Sequence, residues 1–387
     1  MQIEKVQLVQ FRNYKDLDLE FSPGVNVFIG PNGQGKTNLL ESLYLLTRGC
    51  SFRPGKTENL IMKSTDTKNL SNFLSMAKAQ ILKKQTTNEL QCQLVGNKKS
   101  FFKNKKRTYI NDLYKNFPCI LFSPESLGAI KNGPEIRRGL IDDLLICHNP
   151  NDVRTITDFK KALLARNRLL LSFKKEQMSL NELLPIMASL DPSYLQRSAE
   201  LTHKRITAIR DIQNDLVFAF QKILDQKNVD ISVDYLISSQ NAVDWSYAQV
   251  YDSLHYRAQQ LANSERNSGS SLVGPHKHDI RFIVNGEEAR YYCSQGQQRA
   301  LILAFKMAQI SYYHRSYGDF PLLLLDDVLS ELDQQKRAKL IEYLNSLDAQ
   351  IFITTTDLEM SFERQDIKVF EIQNGVVAQQ KKGVVSV

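Results

Sequence analysis

Three short stretches of this chain carry residue types whose spacing does chemistry. The first, Gly30-Pro31-Asn32-Gly33-Gln34-Gly35-Lys36-Thr37, fits the pattern G-x-x-x-x-G-K-[ST]. Glycines at these positions let consecutive backbone N–H groups converge on one anion. In that pattern the lysine, Lys36, reaches the β- and γ-phosphates of a nucleoside triphosphate, and the Thr37 hydroxyl ligates Mg²⁺. The second stretch is a run of four leucines, 322–325, ending in Asp326 and Asp327. A buried strand of this kind delivers carboxylates to a sheet edge. Mg²⁺ takes few protein ligands, so Asp326, through water, joins Thr37, and Asp327 orients or deprotonates an attacking water. The third, Cys293 to Arg299, puts small polar residues and a glycine at the start of a helical pattern. That is a second anion-binding arrangement, weak alone because a serine N-cap followed by glycine is common.

These residues need elements to position them. The apolar run 25–29 reads as a strand directly before the glycine-rich turn, and 38–46 as a helix directly after it. Residues 1–29 read as three strands, with Arg12-Asn13-Tyr14 at the first turn, where Arg12 either approaches the nucleotide or is solvated. Further β-like runs lie at 73–77, 90–95, 109–110 and 119–122. Between them the segment 97–107 carries Lys98, Lys99, Lys103, Lys105, Lys106 and Arg107, with Phe101 and Phe102 and no acid. We read this as a hairpin whose cations contact DNA and whose rings face the core.

From 136 to about 262 the texture is helical. Pro185 and Asp191-Pro192 are expected to break it into a hairpin arm, a β-like stretch interrupts it at 229–237, and 263–271 reads as a polar linker. Arginines along the arm (137, 138, 166, 168, 205 and 210) and Lys174, Lys175 and Lys204 are individually weak DNA candidates. Beyond the arm come a strand at 279–284, a tight turn at Asn285-Gly286, a helix at 334–347 and a strand at 350–353. The cluster Thr354-Thr355-Thr356-Asp357 is a candidate γ-phosphate sensor, and a hairpin closes the chain around Asn374-Gly375.

A length of 387 residues allows two domains, or one with a large insertion, and a net charge of +8 suggests an anionic partner. Five scattered cysteines without a C-x-x-C pair argue against a disulfide framework or a zinc site. No apolar run approaches a membrane span, and the N-terminus alternates like a strand, so a soluble, cytoplasmic protein is expected, associated with the nucleoid through the DNA contacts.

Taken together, GPNGQGKTNLLE (30–41), SQGQQRA (294–300) and LLLLDDVLSELD (322–333) resemble the RecF family of DNA repair proteins, ABC-type ATPases related to SMC heads. FRNY (11–14), LFSPESL (121–127) and VGPHKHDI (273–280) resemble it too. The resemblance spans essentially the whole chain. It implies an α/β ABC-type head with a mixed sheet, split as 1–125 and 265–387 around a helical insertion, 126–264. It implies ATP and Mg²⁺ as cofactors, and an ATP-dependent homodimer in which Ser294, Gln295, Gly296 and Gln297 reach the partner's nucleotide. Ser330 and Asp333 would form the D-loop. Partners would be duplex, single-stranded and gapped DNA, with RecO and RecR, in loading RecA on single strands coated by single-strand-binding protein. The chain departs from the family pattern in four places. A lone Asp279 follows His276 and His278, and Asp327 stands where ABC ATPases carry glutamate. Thr356 takes the place of the switch histidine, and Ser123 that of a lid glutamine. The competing readings are a transporter ATPase and a small-molecule kinase; long-armed SMC proteins are excluded by length.

Overall fold

The computed structural model describes residues 1–62, 74–356, 362 and 366–382. In chain order the elements are β1 (Gln2–Phe11), β2 (Tyr14–Glu20), β3 (Val25–Ile29), α1 (Lys36–Arg48), β4 (Leu74–Lys83), β5 (Thr86–Val95), β6 (Lys98–Lys103), β7 (Lys106–Thr108), α2 (Ile110–Asn116), β8 (Cys119–Phe122) and α3 (Pro124–Leu127). There follow α4 (Pro134–His148), α5 (Asp152–Lys174), α6 (Leu180–Leu224), β9 (Ile231–Ile237), β10 (Gln240–Asn241), α7 (Tyr247–Ser268), β11 (Asp279–Val284), β12 (Glu287–Glu288), α8 (Ala289–Tyr292) and α9 (Gln295–Tyr317). Last come β13 (Leu322–Asp326), α10 (Gln334–Asn345), β14 (Ile351–Thr355), β15 (Ile367–Gln373) and β16 (Val376–Lys382).

The chain divides into two compact units. One comprises Met1–Leu127, Lys222–Leu224 and Ile310–Val387, the other Gly128–Gln221 and Asp225–Gln309. By these contacts the segment from 265 to Gln309 belongs with the second unit and the chain rejoins the first at Ile310. The reason is pairing: β11 runs antiparallel to β9 from Asp279↔Leu236 to Val284↔Ile231, which ties the chain after α7 to the second unit.

The first unit holds two six-stranded sheets, ordered β2-β1-β4-β5-β6-β7 and β16-β15-β3-β14-β13-β8. In the second of these, β8, β13, β14, β3 and β15 are parallel and β16 is antiparallel. Helix α1 is buried along nearly its whole length, as a helix with little polar face must be. Its Leu39, Leu40 and Leu43 share one core with Val6, Leu8 and Ile81 of one sheet and Phe28, Leu324 and Phe352 of the other. Phe21 packs edge-on against Phe28, Phe352 and Phe370 at centroid distances of 6.1, 4.8 and 5.9 Å, which closes that core at its rim. The run 109–110, read as a strand, is instead the start of α2.

In the second unit, α6 continues through Pro185 and Pro192 as a single helix of 45 residues. The expected break does not occur because Leu183, Met187, Tyr194, Leu195 and Ala199 are all buried on one side of it. Such packing outweighs the missing N–H donors. A Ser179–Glu182 capping box starts it. Helix α7 runs to Ser268, so 263–268 is not linker. Glu265 faces inward, where its carboxylate takes Arg166 of α5 at 2.7 Å, while Asp191 of α6 takes the same guanidinium at 2.8 Å. That triad fastens three helices. It also removes Arg166 from the DNA candidates, as Asp279 removes Arg137 and Asp142 removes Arg205.

Candidate nucleotide site

The parallel register brings the chemistry to one edge. Asp326 pairs with Thr354, and Thr355 with Ile29, so β13, β14 and β3 end level with one another just where the glycine-rich turn begins. Gly30 has φ 153° and Gly35 φ 116°. A Cβ at Gly30 would lie 2.4 Å from the Ile372 carbonyl oxygen, so no other residue fits there. Lys36 folds back over the loop, donating to Gly30 O and to Pro31 O at 2.9 Å. Burial lowers its pKa, and the carboxylates of Asp327 and Asp326 oppose that shift.

Thr37 Oγ1 donates to Asp326 Oδ1 at 2.8 Å, and Thr354 Oγ1 donates to the same oxygen at 2.9 Å. Thr354 in turn accepts the Asp327 N–H at 2.9 Å. Burial raises the Asp326 carboxyl, with the two hydroxyls pulling the other way. Asp327 has φ 49°, a left-handed conformation that turns its side chain back toward the loop. Among the described residues its buried Oδ1 has no hydrogen-bond partner. Asp327, Lys36, Thr37, Asn32 and Arg53 line a cavity of about 240 Å³. An orphaned carboxylate oxygen beside a lysine and a threonine hydroxyl is a donor set that fits a phosphate-bound Mg²⁺ and a water, so the residues present suit Mg²⁺ and a triphosphate.

Several supports escaped the sequence reading. Asn13 Nδ2 donates to Gln34 O at 2.9 Å and Tyr14 Oη to Gly35 O at 3.0 Å, so the first turn of the chain props the phosphate loop. The closing hairpin does the same through Gly375 N to Gln34 O at 3.0 Å and Asn374 N to Gln34 Oε1 at 2.7 Å. Arg12 is neither solvated nor at the nucleotide. It donates to both oxygens of Glu41, a fully buried carboxylate on α1, at 2.7 and 2.8 Å. Arg53 and Ser51 reach the same carboxylate. Burial works against the charge of Glu41, but these donors hold its pKa below the usual range. The signal was present in FRNY, without its partner.

The remaining expected site residues fall as follows. Thr356 is exposed just beyond β14, and Asp357 lies outside the described residues. Ser123 is buried and caps the turn into α3 with Ser126, away from the cavity lining. Ser330 Oγ donates to Asp327 O at 2.7 Å, and Asp333 caps α10 by accepting the Lys336 N–H at 2.9 Å. Ser294 and Gln297 form a capping box at the start of α9, with Ser294, Gln295 and Gln297 exposed and Gly296 half-buried, all in the second unit. In the basic hairpin, Phe101 is buried as expected and Phe102 half-buried. Lys99 is drawn inward to Gly49 O at 3.2 Å and Lys103 lies over the Phe117 ring, whereas Lys98, Lys105, Lys106 and Arg107 are exposed. Among the described residues, no group of three or more His, Cys, Asp or Glu is arranged to hold a metal, and no helix is long and apolar enough to cross a membrane.

With this geometry in place, the comparisons are consistent across sequence and fold. Residues 2–378 match the RecF/RecN/SMC N terminal domain model. A DNA replication and repair protein RecF of Lactobacillus gasseri is 34% identical over 390 residues, covering 98% of this chain and 99% of that protein. The RecF of Geobacter sp. (strain M21) is 32% identical over 380 residues, covering 97% and 100%. Among solved structures, the recombination mediator protein RecF with ATP, from the RecFOR pathway, superposes with a TM-score of 0.84 at 26% identity, covering 98% of this chain and 97% of that one. An Smc head domain of Pyrococcus furiosus shares the fold, with a TM-score of 0.55 at 15% identity.

Proposed function

The chain belongs to the RecF family, within the RecF/RecN/SMC group, and from that premise we propose that it is an ATP-gated DNA-binding protein of recombinational repair and replication restart. The observation that carries the reading is the oxygen cluster of Thr37, Asp326 and Thr354 beside the unpartnered Asp327 oxygen and Lys36. Lys36 exchanges its two loop carbonyls for β- and γ-phosphate oxygens. Thr37 and, through water, Asp326 would hold Mg²⁺. Bound Mg²⁺ supplies charge neutralisation on the phosphates. Asp327 holds the attacking water or takes its proton; it is one methylene shorter than glutamate, which fits slow turnover.

Ser294, Gln295, Gly296 and Gln297 of a second copy complete the site, so that ATP closes a homodimer on gapped or junction DNA and hydrolysis reopens it. Ser330 and Asp333 accompany that closure, and Thr356 senses the γ-phosphate. Lys98, Lys105, Lys106 and Arg107 offer phosphate contacts on the exposed hairpin, with Lys99 and Lys103 in support. The solved relative is from the RecFOR pathway, which supports RecO and RecR as partners; the loading of RecA on coated single strands is the outcome that this reading assigns to the clamp. Family membership sets aside the transporter and kinase readings.

Sedimentation with and without ATP and gapped DNA tests this. Lys36→Ala is expected to lose ATP binding. Ser294→Arg is expected to bind ATP as a monomer without dimerising. A mixture of the two recovers at most one working site per dimer, and full wild-type turnover from that mixture refutes the shared site.

A further inference from the structure

The segment Gly274–Asp279 of the second unit carries chemistry that the nucleotide site does not use. His278, only 4% exposed, ends a chain of directed hydrogen bonds. Arg205 is gripped by both oxygens of Asp142, at 2.8 and 3.0 Å, and points Nη1 at the Tyr235 hydroxyl 3.4 Å away. A guanidinium only donates, so the hydroxyl accepts there; the Tyr235 and Thr202 hydroxyls both face His278 Nδ1, at 3.1 and 3.5 Å, and either proton directed at that nitrogen makes it an acceptor. An imidazole whose Nδ1 accepts carries its proton on Nε2. Burial and the nearby Arg205 charge keep the ring neutral, so this tautomer holds at physiological pH.

Among the described residues, His278 Nε2 has no hydrogen-bond partner, and the ring lines a pocket of about 190 Å³ together with Ser238, Arg257 and Lys277. Among the described residues the rest of the lining is Gly274 and the apolar Ile237, Leu254, Leu272 and Val273, with no carboxylate and no aromatic ring other than this imidazole. Ser238 (φ 49°), which lines the pocket, and Ser239 (φ 70°) are the two central residues of the tight turn joining β9 to β10. Two cations and a fixed N–H donor, without an acid, make an anion site. Without an aromatic face for a base, the anion is a phosphate whose sugar and base remain outside.

We propose that this pocket binds one backbone phosphate of nucleic acid, with His278 Nε2–H, Lys277 Nζ and the Arg257 guanidinium as donors. Such a contact fixes the position of the strand without reading its sequence. The proposal rests on the DNA-binding reading above and adds a site to it.

The test is fluorescence anisotropy of full-length protein on labelled duplex, with ATP, across a salt series, comparing wild type with Lys277→Ala/Arg257→Ala. Neither side chain is part of the nucleotide site. The expected result is affinity weaker by about tenfold and a salt slope shallower by about one to two, with ATP affinity unchanged. Unchanged affinity and slope, with ATP binding intact, overturn the proposal. A wild type that fails to bind duplex at all sinks the functional reading itself, which is a different outcome. Inorganic phosphate titrated in ³¹P NMR separates the sources: phosphate held by wild type and lost in the double variant, with DNA binding unaffected, makes this a free-anion site and overturns the nucleic-acid assignment. Nitrogen-15 histidine NMR reads the tautomer directly. An Nδ1–H signal for His278 contradicts the arrangement, and Tyr235→Phe is expected to mix the two tautomers.

Discussion

Thr37 Oγ1 lies 2.8 Å from Asp326 Oδ1, a contact between residues 289 apart in sequence. It brings the two proposed Mg²⁺ ligands within one hydrogen bond of each other, on a carboxylate that burial discourages from ionising. Burial there opposes the charge that the proposed metal ligand needs, as functional sites often do.

A trade of stability against activity follows at Asp326. Its folded pKa is raised, so the unfolded chain ionises first. The stability that this group contributes is present below the ordinary carboxylate range and is lost as pH rises through the folded value. Asp326→Asn keeps an acceptor for Thr37 and Thr354 and removes the buried charge. Its melting temperature at pH 7 is expected to exceed that of wild type by a few degrees while Mg²⁺-dependent ATP turnover is lost. A lower melting temperature would sink this account.

Glu41 is the opposite case. Arg12, Arg53 and Ser51 hold its carboxyl below the usual range, so its contribution is present above the ordinary glutamate pKa and lost as pH falls through the depressed value. Arg12→Ala strands a fully buried carboxylate with fewer donors, at a cost of about 3–5 kcal/mol in urea unfolding. A loss below 1 kcal/mol (about a fivefold change in the unfolding equilibrium) would show the pair to be dispensable.

Acid weakens the second unit through histidine. Burial pushes His276 down to about 4, against an ordinary value of 6.5. Below pH 6.5 the unfolded chain takes up the proton first, so stability is lost between pH 6.5 and about 4, by at most about 3 kcal/mol from this residue. His276→Gln is expected to flatten, though not abolish, the fall in urea midpoint between pH 7 and pH 5, because His278 contributes in the same sense. An unchanged slope would exclude His276 as a source.

Pro192 sits exposed in the interior of α6, where it supplies no N–H. Pro192→Ala restores the donor in a helix already fixed by its buried face. Stabilisation of about 1–3 kcal/mol is expected, with ATP and DNA binding unaltered. Destabilisation would mean that the proline shapes a bend the packing requires.

Much of this was legible in the chain itself. The phosphate loop, the strand before it and the helix after it are local: glycine φ freedom, β-alternation and helical periodicity all act within a few residues. The apolar strand into Asp326-Asp327 and the Asn285-Gly286 and Asn374-Gly375 turns, with asparagine at φ 51° and 49°, are local for the same reason. Tertiary structure decided what local rules cannot reach. Two prolines did not stop α6, because buried side chains on one face set its continuity. The stretch 263–268 reads as polar linker until Arg166, about a hundred residues earlier, gives Glu265 a reason to be buried. Which arginines are free and which are spent was likewise settled only by long-range partners. Sequence determined that a triphosphate cradle exists, because the cradle is built from consecutive residues. Only the fold decided that Asn13 and Gly375 prop it and that the Thr354 hydroxyl shares one Asp326 oxygen with Thr37, because these contacts depend on strand register and closure across nearly the whole length of the chain.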